Sequence, residues 1–296
     1  MTRPLLGAFI ALFLGSAHAA PATLPHTEER ILHSVHTGRD YRIQIATGGE
    51  APADGYPVLY ILDGDTLFPA LAVMTQSWQY RAAETGARPL ALVGIGYANG
   101  ELLDFAARSA DYTPPAPHYP DDRYTYGGAE LFSRFIEEEL KPEIANTLPV
   151  NDRQQAILGH SYGGLFALYT LYNHPQHYRY YLISSPSIWW NGRRVLADAH
   201  RLDSAPQPPV HIRITAGAYE EESDPRLPPD PERAARQKAR GMVSAARDAA
   251  ARLQAAGIDA EFQLYPQETH GTVMFTALPD YLRFLYRQLA AAQKSD

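Results

Sequence analysis

The chain has 296 residues, 45% of them hydrophobic and 20% charged, with a formal charge of −7. That is an ordinary globular balance, and it excludes a nucleic-acid binder, which would need a basic face. There is no cysteine, so thiol catalysis, disulfides and cysteine zinc sites are excluded outright.

The first twenty residues stand apart. One arginine precedes an apolar run from Leu5 to Leu14, and Ala17-His18-Ala19 follows. These are the n-region, h-region and A-x-A cleavage site of a secretory signal. The run is too short to span a bilayer as a stop-transfer helix. Residues 1–19 are therefore expected to be removed, with Ala20 as the alternative last residue of the signal. Residues 20–296 form one exported domain, most simply periplasmic, with no membrane span in the mature form. Such a chain is long enough to be held by its own core.

From there the elements alternate. "YRIQIATG" (41–48) has the period of a strand, and "YPVLYILDG" (56–64) reads as a buried strand running into an Asp-Gly loop. "LFPALAVMTQSWQYRAA" (67–83) has helical spacing, and "PLALVGIGY" (89–97) is a second buried strand. "DYTPPAPHYPDDRYTYGG" (111–128) is rich in proline, tyrosine and glycine and reads as a long loop. "AELFSRFIEEELKPEIA" (129–145) is an amphipathic helix. A strand at 153–159 meets "HSYGG", and a helix follows over 164–175. Strands at 178–187, 210–222 and 258–266 come next, with one long alanine-rich helix at 231–257 and a closing helix at 279–294. This order implies an α/β fold, a mostly parallel sheet with helices on both faces. Ligands in such sheets sit at the carboxyl ends of the strands.

Gly159-His160-Ser161-Tyr162-Gly163 fits G-x-S-x-G at a strand-to-helix junction, the context in which that motif carries a nucleophile. Both glycines are expected to be required, because a Cβ at either would strike a neighbouring element. A serine hydroxyl needs a base. His270, in "ETHGTV" after the last strand, is the candidate. His160 is expected to point away from the nucleophile. The pairs His33/His36 and His174/His177 read as surface or turn residues rather than metal ligands. The orienting acid should follow the preceding strand, where "AGAYEEESD" offers Glu220 first and Glu221 next. A Ser–His pair without an acid stays open. The oxyanion donors are expected to be the backbone N–H groups of Tyr162 and Asp65.

"LDGD" (62–65), "RSADYTP" (108–114), "GHSYGG" (159–164), "SPSIWW" (185–190), "TAGAYEE" (215–221) and "ETHGTV" (268–273) together resemble the putative-esterase branch of the α/β-hydrolases. The resemblance covers about 40 to 290. Within that branch, "SPSIWW" and "R-x-x-D-Y-T-P" look like the periplasmic esterases of trilactone catecholate siderophores. The resemblance implies an α/β-hydrolase fold and hydrolysis of ferric enterobactin-type esters. It implies no metal or other cofactor, since iron arrives only within the substrate. It places Ser161 and His270 on the family's nucleophile and base. A bulky trianionic aromatic substrate calls for cations and aromatic faces. Arg108, Trp189, Trp190, Arg193 and Arg194 are the candidates beside the motif loops. A feruloyl-type or general carboxylesterase and a non-hydrolysing siderophore binder are the alternatives. Nothing in the sequence speaks to oligomeric state.

Overall fold

A computed structural model describes residues 23–119 and 121–293. The secretory signal expected over residues 1–19 lies outside the described residues. Among them, no helix is long and apolar enough to cross a membrane.

Eight strands form one sheet: β1 (Thr27–His33), β2 (Asp40–Gly48), β3 (Tyr56–Leu62), β4 (Leu90–Tyr97), β5 (Val150–His160), β6 (Tyr180–Ser184), β7 (His211–Gly217) and β8 (Asp259–Tyr265). Their spatial order is β1-β2-β4-β3-β5-β6-β7-β8. The β1–β2 and β2–β4 pairs are antiparallel and all the others parallel. The unbroken apolar runs of β3, β4 and β6 have a simple cause. Helices cover both faces, so side chains of either parity must be apolar; every residue of β4 is buried.

The helices are α1 (Gly64–Tyr80), α2 (Ala82–Thr85), α3 (Phe105–Tyr112), α4 (Ala129–Arg134), α5 (Lys141–Thr147), α6 (Tyr162–Asn173), α7 (Trp190–Arg193), α8 (Pro231–Arg240), α9 (Met242–Ala255), α10 (His270–Thr276) and α11 (Leu278–Ala292). Leu67 and Leu71 of α1 join Tyr281 and Leu285 of α11 in the core on one face of the sheet. Phe132 of α4, Phe166 and Leu168 of α6 and Leu253 of α9 build the core on the other.

Three elements differ from their sequence reading. The helix expected over 231–257 is two helices, α8 and α9, broken at Gly241, which takes a left-handed φ of 55°. The loop expected over 111–128 begins inside α3, because Asp104 caps that helix by accepting the Ala107 N–H at 2.9 Å. His270 opens α10 rather than lying in a loop, with Thr269 as its cap. Strand β1 carries no sequence signal of its own; it is an edge strand, more exposed than the rest.

The chain steps from β3 out to β4 and then back across to β5. The carboxyl ends of β3 and β5 therefore flank a topological switch point, where the loops part and leave a crevice. Asp63-Gly64-Asp65 leaves β3 there, and Ser161 leaves β5.

Candidate active site

Strand β5 ends at His160 and α6 begins at Tyr162, so Ser161 alone makes the turn. It does so at φ 60° and ψ −115°, a conformation that L-residues rarely adopt. The turn is clamped from both sides. The Ser161 N–H donates to the Ser184 carbonyl at 2.9 Å, and the Ser161 carbonyl accepts from the Ser187 N–H at 3.0 Å. The need for glycine differs from the sequence reading. A Cβ at Gly159 would stand 2.2 Å from the Gly163 carbonyl oxygen, and one at Gly164 would stand 2.8 Å from that of Ser184. At Gly163 the nearest atom would be 3.4 Å away, an ordinary contact. The tight positions are thus Gly159 and Gly164, not the second glycine of the motif.

His270 Nε2 lies 2.9 Å from Ser161 Oγ. Its Nδ1 lies 2.8 Å from Glu220 Oε2. A carboxylate can only accept, so Nδ1 carries the proton and Nε2 is left to accept from the serine hydroxyl. Glu220 is buried. Its other oxygen accepts from Ser185 Oγ at 2.5 Å and from the Gly217 N–H at 2.6 Å. Ser185 is itself buried and holds a left-handed φ of 43°. Glu221, the other candidate acid, faces elsewhere: its Oε2 accepts the Ser244 N–H at 2.7 Å in the first turn of α9. Hydroxyl, imidazole and carboxylate in series can move a proton off the serine as its oxygen attacks.

One neighbour of this series went unread in the sequence, and a second, His160, was expected to point away from it. Ser187 Oγ lies 3.3 Å from Ser161 Oγ. His160 is not remote from the site: its ring centroid lies 4.5 Å from that of His270, and its Nδ1 lies 3.0 Å from Ser184 Oγ. Burial, the adjacent His270 and Arg108 hold the His160 imidazole well below its usual pKa. It therefore stays neutral beside the second ring. The GHS spelling was visible, but which way His160 turns depends on the loop that brings His270.

Asp65 and Tyr162 both fall in the first turns of helices, where backbone N–H groups have no intrahelical acceptor. The Asp65 carboxylate turns inward, accepting from Arg42 at 2.8 Å and from the Tyr97 N–H at 3.1 Å. Burial nevertheless leaves its pKa raised.

The predicted cationic and aromatic residues separate. Arg108 is buried and grips Asp63 with two bonds of 2.9 Å. Its charge holds the β3 loop, whose Asp63 takes a left-handed φ of 50°. A substrate-binding role with a free guanidinium does not fit. This pair joins residues 45 positions apart, so no local pattern carries it. Trp190 is fully buried against Tyr119 and Tyr126 and reaches no cleft. Arg194 donates to the Pro115 carbonyl at 3.1 Å and pairs with Asp198 at 3.1 Å, pinning the long loop. Trp189 stays partly exposed, 6.4 Å from the Tyr162 ring, and Arg193 is exposed. Arg240, unremarked in the sequence, stacks over Trp189 at 4.5 Å.

His33 and His174 pair with Asp40 and Glu130. No group of three or more His, Asp or Glu among the described residues has the arrangement of a metal site.

Residues 34–280 match the model of a protein family described as putative esterase. A ferri-bacillibactin esterase of Bacillus subtilis is 35% identical over 273 residues, covering 88% of this chain and 90% of its own. A siderophore enterobactin esterase of Emericella nidulans is 34% identical over 262 residues, covering 80% and 84%. The crystal structure of the BES protein from Bacillus cereus superposes with a TM-score of 0.79 at 31% identity, over 92% of this chain and 98% of that one.

Proposed function

The chain belongs to the putative-esterase family, has the α/β-hydrolase fold and is an ester hydrolase; from that premise we propose that it is a serine esterase of siderophores. Its substrate in this reading is a trilactone catecholate of the ferric enterobactin type, opened so that iron can be released. The observation that carries the reading is the 2.9 Å and 2.8 Å series from Ser161 through His270 to Glu220, in a chain similar to esterases that act on siderophores.

In the proposed reaction Ser161 Oγ attacks an ester carbonyl while His270 Nε2 takes its proton. Glu220, fixed by Ser185 and the Gly217 N–H, holds the imidazole in the required tautomer and stabilises the imidazolium. The Tyr162 and Asp65 N–H groups receive the developing oxyanion at the ends of α6 and α1, where helix dipoles favour negative charge. The imidazolium protonates the departing alkoxide. Water, activated by the neutral imidazole, then frees the acid and restores the serine. The residue 1–19 signal would send the enzyme to the periplasm, where incoming ferric siderophores are met.

The test is mass spectrometry of products from ferric enterobactin and, separately, from a short-chain nitrophenyl ester, with the wild type and Ser161→Ala. Rapid trilactone cleavage, lowered roughly 10⁴- to 10⁶-fold by the substitution, is the expected result. Cleavage of the simple ester alone would leave a general carboxylesterase. Trilactone binding with no cleavage of either compound would leave a siderophore-binding protein.

A further inference from the structure

His160 is polar at a place where an apolar side chain would be easier to bury. It ends β5 directly before Ser161 and is 5% exposed. Burying an imidazole carries a penalty unless it is hydrogen-bonded, and this ring is bonded on two sides. On one side Nδ1 lies 3.0 Å from Ser184 Oγ. On the other the ring hydrogen-bonds the backbone of His270, an interaction that favours the protonated ring. In such a bond the ring donates. A neutral imidazole has one donor and one acceptor, so Nδ1 is left to accept from the Ser184 hydroxyl.

Behind Ser184 the bonding continues. Its side chain bonds the hydroxyl of Tyr281, whose oxygen lies 2.6 Å from Thr215 Oγ1. All three residues are fully buried. The donors can run in one sense throughout, from Thr215 to Tyr281 to Ser184 to His160 and on to the His270 backbone. The series joins β7, α11, β6 and β5 and ends on the first residue of α10.

That residue carries the base. Helix α10 has only seven residues, too few to hold itself without packing. Val273 and Met274 bury its middle. Ahead of it, the Glu268 carbonyl accepts the Tyr219 N–H at 2.9 Å, and Thr269 caps the first turn. The turn at His270 itself is met from the β5 side by His160, at 4.5 Å between ring centroids. Glu220 grips the His270 ring at Nδ1 alone, and a ring held at one nitrogen still swings with its backbone.

We infer that His160 is a positioning residue for the base. It ties the first residue of α10 to the end of β5 and so sets the separation of His270 Nε2 from Ser161 Oγ, which is 2.9 Å. The nucleophile and the residue that places its base are then neighbours in the chain, and a shift at the end of β5 carries both together. This inference rests on ester hydrolysis by Ser161 with His270 as its base.

The test measures hydrolysis of a short-chain nitrophenyl ester by the wild type, His160→Leu, His160→Gln and Ser184→Ala. His160→Leu drops both bonds and stays apolar. Its kcat is expected to fall about 30-fold with KM within about twofold, because misplacing the base slows proton transfer without touching substrate binding. His160→Gln keeps one acceptor and one donor and should recover most of that loss. Ser184→Ala keeps the carbonyl that clamps Ser161 and removes only the partner of Nδ1, so kcat should fall about three- to tenfold. His177→Gln, before β6 at the opposite edge of the sheet, should keep the wild-type kcat. Proton NMR gives a second readout. The proton between His270 Nδ1 and Glu220 resonates far downfield of the amides, and Glu220→Gln identifies it by removing it. This resonance should persist in His160→Gln and be broadened or displaced in His160→Leu. A wild-type kcat or an unchanged resonance in His160→Leu, or equal losses in the Leu and Gln variants, would overturn the positioning role. If His160→Leu does not fold, a wild-type kcat in Ser184→Ala would overturn it. A wild type that cleaves no ester would overturn the esterase reading, and the resonance alone would then decide whether His160 places His270.

Discussion

Ser161 and Glu220 show how single residues here are held away from their ordinary preferences. A φ of 60° at Ser161 is strain, and it persists because Ser184 and Ser187 bond the backbone on both sides. Glu220, Glu221 and Glu222 are chemically identical and adjacent in sequence; only their contacts separate them. Glu220→Gln would present an amide that can donate to His270 Nδ1 and so favour the wrong tautomer. We expect kcat to fall roughly 10³- to 10⁴-fold. Glu221→Ala removes an acceptor from the first turn of α9 and should cost about 1 kcal/mol of stability while sparing kcat. Steady-state kinetics and thermal unfolding of the two variants would separate these outcomes.

At the scale of elements, the junction between β5 and α6 sets the turn at Ser161, and its tolerance is uneven. The contacts of a Cβ at Gly164 are backbone atoms of Ser184 and Pro186, at 2.8 and 3.0 Å, which cannot swing aside. Gly164→Ala should destabilise by about 1–3 kcal/mol, as overpacking does. Gly163→Ala meets ordinary contacts and replaces a glycine inside a helix, so stability should change by less than about 1 kcal/mol. Urea midpoints of the pair check this, and equal losses in both would refute the unequal crowding. The break between α8 and α9 is the other decisive junction. Alanine-rich sequence on both sides favours one helix, yet Gly241 stops it and swings Arg240 over Trp189.

Across the whole molecule, buried titratable groups link folding to pH. His160 is held well below its usual pKa and His177 is pushed down to about 4, both chiefly by burial. Below about pH 6.5 the unfolded chain protonates these imidazoles and the folded chain does not, so stability falls as pH falls. Asp111 acts in the opposite sense. Burial pushes its carboxyl up to about 6, and the folded state gains stability by taking that proton first. Asp65 and Glu137, also raised by burial, act in the same sense as Asp111. The part owed to His177 alone is a loss approaching about 1.4 kcal/mol per pH unit between roughly pH 6 and 4. Urea unfolding of the wild type and His177→Gln at pH 7, 5.5 and 4.5 should show the variant losing less stability as the pH falls.

Much of this protein was legible in one dimension because the relevant physics is local or periodic. Apolar runs of strand length, set between helical repeats, require a sheet buried on both faces. A serine bounded by glycines between such a strand and helix marks a sharp turn at the sheet's carboxyl edge, and a histidine after the last strand must return to that edge. The sequence ranks Glu220 ahead of Glu221 but leaves the acid open, and it does not show which arginines keep a free charge. Arg108 and Asp63 meet across 45 positions, Glu220 and His270 across 50. Such pairings are decided by strand order and loop packing. Trp189 and Trp190 make the same point: adjacent and alike in sequence, one stays partly exposed and the other is buried in the core. Local sequence sets the turn; only the packed neighbours decide which side of it is inside.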